Sequence, residues 1–160
     1  VPGMLGNILD MSQDFNPALG STPSIQLFRI ITTLASHLRT RMDQRLADIG
    51  LTTQQAAVLS IVEAADEPPT LGQVATLLGS THQNSRQIVN ALERKGFLEV
   101  TVDAVDRRVR RLHLGPDVKT LFAQRNPSDH REVGQWLAVL SEDEQRQAVG
   151  LLHRVLADLT

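Results

Sequence analysis

Two short stretches concentrate the side chains able to do chemistry. From Thr81 to Gln87 the chain reads Thr-His-Gln-Asn-Ser-Arg-Gln, seven residues without one apolar side chain. Glutamine and asparagine amides pair bidentately with adenine, and arginine pairs with guanine O6 and N7, when a helix carries them into a major groove. Thr81, His82, Gln83, Asn84, Arg86 and Gln87 are therefore candidate DNA contacts; the plain alternative is a solvated helix face. Further on, Arg107-Arg108-Val109-Arg110-Arg111 places four of the chain's 16 lysines and arginines in five positions, directly after Asp106. Arg107 or Arg108 suits the negative potential of a narrow minor groove. Asp106 could orient the inserted guanidinium through a bidentate pair. The plain alternative here is a charged hairpin in which Asp106 pairs with a neighbouring arginine. Arg110 and Arg111 alternate along a returning strand, so at most one of them should reach a phosphate.

Other chemistries find little support. None of the five histidines (37, 82, 113, 130, 153) has another four residues away, and no HExxH-type motif occurs, so no metal or cofactor is expected. Serine, histidine and aspartate are present without a nucleophile elbow or a glycine-rich phosphate loop, so the expectation is not an enzyme. The absence of cysteine removes disulfides, thiolate zinc sites, cysteine nucleophiles and thiol redox sensing. Five aromatic residues are too few for a binder that stacks single-stranded bases on rings. No apolar run approaches the roughly 18 residues of a membrane span. The first residues, Val1-Pro-Gly-Met, carry no basic segment of a secretory signal, and the cytoplasm is the expected location. The net charge of −2 conceals a division: residues 81–113 sum to +3 and the remainder to −5. A small basic element on an acidic body is the pattern to explain.

The elements that must position these side chains are mostly helices. Residues 1–23 hold three prolines and three glycines without a sustained period and are expected to be a mobile arm. Leu27, Phe28, Ile31, Leu34, Ala35, Leu38, Met42, Leu46 and Ile49 recur at steps of three and four, predicting a helix over 24–50 closed by Gly50. It is longer than one small domain can bury, so a partner chain is its natural cover. Thr52-Thr-Gln-Gln55, Thr70-Leu-Gly-Gln73, Ser80-Thr-His-Gln83 (with Thr81 an equal candidate cap) and Ser141-Glu-Asp-Glu144 fit capping boxes that open four helices. Leu71, Val74, Ala75, Leu77 and Leu78 are the expected apolar face of the second of these, and Ile88, Val89 and Leu92 that of the third. The backbone N–H groups of Ser80 and Thr52–Thr53, at helix starts, are candidate phosphate donors. After Gly96, apolar and β-branched residues flank Asp103–Arg108, which predicts a two-stranded hairpin. Helix resumes after Gly115-Pro116-Asp117, and Asn126-Pro127 should kink or interrupt it. Val133, Trp136, Leu137 and Leu140, then Val149, Leu152, Val155 and Leu156, supply further stripes.

Helix, Gly-Ser-Thr turn, helix and basic-tipped hairpin make a winged helix-turn-helix. With long helices on both sides, the chain resembles the MarR (multiple antibiotic resistance regulator) family of transcription factors. The resemblance rests on Leu51-Thr-Thr-Gln54 with Val58-Leu59, Leu71-Gly-Gln-Val-Ala-Thr-Leu-Leu-Gly79, Leu92-Glu-Arg-Lys-Gly-Phe-Leu98, and Asp103-Ala-Val-Asp-Arg-Arg108 with Leu112-His-Leu114. Two positions depart from the family's habit. Gly115 stands where threonine is usual, which affects local strand-end geometry, and Ser85 stands where an apolar residue is usual, which bears on how the recognition helix seats.

The resemblance implies a mainly α fold with a small β-hairpin wing. Its expected parts are an arm (1–23), a dimerisation helix (24–50), a winged helix-turn-helix unit (51–115) and C-terminal dimerisation helices (116–160). It implies a homodimer that binds double-stranded DNA at a palindromic operator, acting as a repressor released by a small aromatic or anionic effector. In the family such ligands bind between the dimerisation helices and the winged unit. Here that crevice is expected between the helix at 24–50 and the Thr52–Val62 helix. Arg29, His37, Arg39 and Arg41 are candidate anion partners, though each reads more readily as solvated surface. The rival expectation is a winged-helix protein–protein module that does not bind DNA.

Overall fold

A computed structural model describes residues 22–159. The arm expected over 1–23 lies outside them, save Thr22 and Pro23. Pro23 is the first residue of helix α1 (Pro23–Leu46), where its missing N–H costs nothing. A 3₁₀ turn, Ala47–Ile49, follows, and Gly50 closes it in the left-handed region with φ 69°. The chain divides at Gly50–Leu51 into two compact units. In the first, α1 leaves Leu27, Phe28, Ile30 and Leu34 exposed, and Leu46 is its one buried residue.

The second unit runs in the order α2 (Thr53–Ala64), α3 (Leu71–Leu77), α4 (His82–Arg94), β1 (Leu98–Val102), β2 (Arg110–Leu114), α5 (Val118–Trp136) and α6 (Glu142–Leu159). Local chemistry sets the boundaries. Thr52 with Gln55, and Thr70 with Gln73, form complete capping boxes at the starts of α2 and α3. Ser141 and Glu144 exchange the same reciprocal bonds before α6. At α4 the cap is Thr81, whose hydroxyl accepts the Asn84 N–H at 3.2 Å. Two helices end in Schellman motifs. Gly79 donates to Thr76 and Ser80 to Ala75 after α3; Gly96 donates to Glu93 and Phe97 to Leu92 after α4. Both closures need a left-handed residue, and Gly79 (φ 59°) and Gly96 (φ 76°) supply it.

The core gathers Val58, Leu59 and Val62 of α2, Val74 and Ala75 of α3, Val89 and Leu92 of α4, and Leu98 and Leu112 of the hairpin. Leu77, counted by its spacing on the apolar face of α3, is instead 69% exposed. A seven-residue helix buries too narrow an arc to include it. Strands β1 and β2 pair antiparallel with Leu98 opposite Leu114 and Val100 opposite Leu112. A third short segment joins this hairpin: Thr70 bridges Arg111, and Leu112 donates to the Pro69 carbonyl at 2.9 Å.

Helix α5 runs unbroken from Val118 to Trp136 with Pro127 inside it, so the expected interruption at Asn126-Pro127 does not occur. Proline removes one N–H and crowds one carbonyl, but two helical turns on each side of Pro127 keep the residues around it helical. Helix α6 has no buried residue, and Val149, Leu151, Leu152, Val155, Leu156 and Leu159 are all exposed.

Ser85 is fully buried on α4, and its hydroxyl has no hydrogen-bond partner among the described residues. An orphaned buried hydroxyl costs about 1–3 kcal/mol. Ser85→Ala should therefore raise the unfolding free energy by about 1 kcal/mol in urea titrations, the small void offsetting part of the gain. A loss of stability in that variant would mean that the hydroxyl has a partner in solution.

Candidate nucleic-acid interface

The seven polar residues that open α4 separate by face. Thr81, His82, Gln83, Arg86 and Gln87 are exposed, Asn84 is half-buried, and Ser85 turns into the core. The run is thus not entirely solvated: position 85 keeps the inward direction that helical spacing from Val89 and Leu92 demands. Asn84 donates its side-chain amide to Ser80 Oγ at 2.8 Å, which ties it to the α3–α4 turn. The proposed backbone phosphate donors fare less well. The Thr52 amide donates to Gln55 Oε1, and the Ser80 amide to the Ala75 carbonyl. Helix capping and the Schellman motif have already used these two amides.

His82, Arg86, Asn90 and Glu93 follow one another at helical spacing and line an open groove between α4 and the hairpin. Arg108 and Arg110 line it from the other side, and the groove encloses about 600 Å³. Three arginines and a histidine, Arg86, Arg108, Arg110 and His82, thus line one concave surface, with the carboxylate of Glu93 at its side. Strand alternation sends Arg110 to this side and Arg111 to the other.

Carboxylates organise the wing tip. Asp103 Oδ1 accepts the amides of Val105 (2.8 Å) and Asp106 (3.0 Å). Asp103 Oδ2 meets Arg111 Nε at 2.7 Å. The Asp106 amide, then the Arg111 guanidinium and the Val105 amide, lower the Asp103 pKa to about 2, so it stays ionised at any working pH. Asp106, expected to orient an arginine side chain, places Oδ1 2.9 Å from the Arg108 backbone amide. It shapes the turn that carries Arg107 and Arg108, both of them exposed. The wing's ion pair is Asp103–Arg111. Sequence reasoning passed over Asp103, although the signal was there: Asp103 stands opposite Val109, and Arg111, two residues on, shares that face.

Of the candidate anion partners on α1, Arg29, His37, Arg39 and Arg41 are all exposed. Among the described residues, no group of three or more His, Asp or Glu gathers as a metal site requires. No described helix is long and apolar enough to cross a membrane.

Comparison with known proteins meets the same architecture. A sequence model of the MarR family matches residues 49–109, the stretch that holds α2, α3, α4 and the wing tip. An uncharacterized HTH-type transcriptional regulator of Bacillus subtilis, YwaE, is 26% identical over 87 residues, 54% of this chain and 51% of its own. The chain therefore spans about half the length of the curated relative it matches. Among solved structures, the MepR–DNA complex of S. aureus superposes with a TM-score of 0.74 at 24% identity, over 88% of this chain and 100% of that one. The organohalide-sensing regulator RdhR, in its 2,4-dichlorophenol-bound form, gives a TM-score of 0.77 at 18% identity, over 88% and 83%. Winged helix-turn-helix, flanking helices and matched segment agree: residues 49–109 match the MarR family model, and the chain shares the fold of these solved regulators over most of its length.

Proposed function

We propose that the protein is a homodimeric transcriptional repressor of the cytoplasm that binds a palindromic double-stranded operator and is released by a small aromatic or anionic ligand. The observation that carries this reading is the groove in which His82 and Arg86 of α4 face Arg108 and Arg110 of the wing. Such a surface suits one strand of a duplex, with α4 in the major groove and the wing over the adjacent minor groove. Gln83 and Gln87 stand one step round the helix from the groove-lining stripe and are exposed, so they are assigned to base edges. His82, Arg86 and Arg110 are assigned to phosphates, Arg107 and Arg108 to the minor groove. Thr81, Asn84 and Asp106 hold the two reading elements in shape and border the same surface.

The exposed apolar faces of α1 and α6 support a second copy of the chain as their cover. A monomer rarely presents an apolar helix face to water along its length, and a two-fold dimer matches a palindrome with half-sites about 34–36 Å apart. MepR was crystallised with DNA and RdhR with a chlorinated phenol, and both activities are carried over here as part of the proposal.

Selection of bound duplexes from a random pool tests the reading. A palindromic consensus is expected, whereas failure to retain any duplex at low salt would assign the chain to protein–protein interaction instead. With the selected duplex, Arg108→Ala should weaken binding to all sequences alike and flatten the log–log salt dependence by about one charge. Gln87→Ala should cost about 1–3 kcal/mol at one base pair and relax the preference there. Equal effects of both variants on specific and random duplex would overturn the division of roles.

A further inference from the structure

We infer that Arg111 is a positioning residue of the wing, not a phosphate contact: its guanidinium joins the wing tip to the segment that enters α3. The loop carrying Arg107 and Arg108 thereby keeps one attitude relative to α4. The inference rests on the DNA-binding reading and deepens it.

The geometry is a chain of bonds. Arg111 donates from Nε to Asp103 Oδ2 at 2.7 Å and from Nη1 to the Pro68 carbonyl at 3.1 Å. The other oxygen of Asp103 holds the amides of Val105 and Asp106, and Asp106 in turn holds that of Arg108. The far anchor is firm, because Pro68 and Pro69 have fixed φ and their backbone accepts without donating. Pro69 takes the Leu112 amide, and Leu112 is buried. From a rigid post beside α3, a continuous path of polar contacts thus reaches the residue assigned to the minor groove.

A two-stranded hairpin is at best marginally stable alone, and this one carries Arg107, Arg108 and Arg110 close together. Without a brace its tip would be ordered only on binding, at a cost in affinity. Arg111 meets the need because a planar guanidinium bonds a carboxylate and a carbonyl from fixed directions, which a lysine ammonium does not. Its neighbour Arg110 lines the α4 groove, so two consecutive arginines hold different posts.

The test measures affinity for the selected duplex in Asp103→Asn, Arg111→Lys, Arg111→Gln and the Asp103→Asn/Arg111→Gln double variant. Removing an acid beside a polyanion ordinarily tightens binding. The brace predicts the opposite, a loss of about tenfold in Asp103→Asn, a similar loss in Arg111→Lys, and a double variant no weaker than the weaker single. Equal or tighter binding by Asp103→Asn, with wild-type affinity in Arg111→Lys, would overturn the inference and return Arg111 to the phosphate contacts. Hydrogen exchange at the Val105, Asp106 and Arg108 amides reads the brace without DNA: it should quicken in Arg111→Gln while the exchange of α4 is unchanged. Unaltered exchange there also overturns it. Failure of the wild-type chain to bind any duplex overturns the DNA-binding reading, and the exchange experiment then decides the brace alone.

Discussion

Replacing Gly115 by alanine is expected to destabilise the winged unit by about 3 kcal/mol, at the upper end of the cost of forcing extra volume into packed structure. The melting temperature should fall by roughly 10 °C. A Cβ at this position would lie 2.1 Å from the Gly96 carbonyl oxygen and 3.2 Å from its carbon. Neither atom can give way cheaply. Gly96 is fixed as the left-handed residue of the Schellman motif that ends α4, and the Gly115 amide donates to Phe97 at 2.9 Å. Relief requires the base of β2 to part from the end of α4, so on the proposed reading duplex affinity should fall with stability. Gly115→Thr, which adds a β-branched side chain at the same place, should be at least as harmful here. A wild-type melting temperature in either variant would show that the close approach at Gly96 relaxes without cost.

The contrast between Gly115 and the helix caps marks what could be read from the sequence. Capping boxes and Schellman glycines are short-range devices, complete within six residues, and Thr52, Thr70, Ser141, Gly79 and Gly96 all act where the spacing placed them. The same holds for the hairpin and the polar opening of α4. What escaped depends on neighbours distant in the chain. Gly115 is required by the backbone at Gly96, 19 positions earlier. Arg111 finds Pro68 43 positions away. Leu77 obeys the helical period yet lies outside the narrow arc a short helix buries, and Pro127 breaks a local rule that the flanking turns of α5 override. The groove between α4 and the wing belongs to the same class: each cation is legible singly, but their convergence is a product of tertiary packing.

The second large effect concerns α6. If the chain is the homodimer proposed above, Leu152→Glu combined with Leu156→Glu is expected to convert it to monomer and to lower affinity for the selected palindrome at least about 100-fold. The two leucines lie four residues apart on one helix face, and with Val149 and Val155 they present an apolar stripe to solvent, Leu156 being 56% exposed. Burial of a leucine side chain contributes about 1.5–3 kcal/mol, and two-fold symmetry counts every such position twice. Carboxylates introduced there would be buried in the proposed interface without a partner cation, adding a desolvation cost to the lost burial. The loss of affinity exceeds anything a contact variant in α4 should produce, because a dimer binds its second half-site intramolecularly. Dissociation forfeits that effective concentration, worth about 10²–10⁴ in avidity. Sedimentation equilibrium reads the oligomeric state, far-UV circular dichroism checks that the helices persist, and titration with the full palindrome and with an isolated half-site reads the affinity. The signature of lost symmetry is a fall on the palindrome with little change on the half-site. A variant that stays dimeric, or becomes monomeric with undiminished affinity for the palindrome, would remove α6 from the dimer interface or the dimer from the reading of DNA.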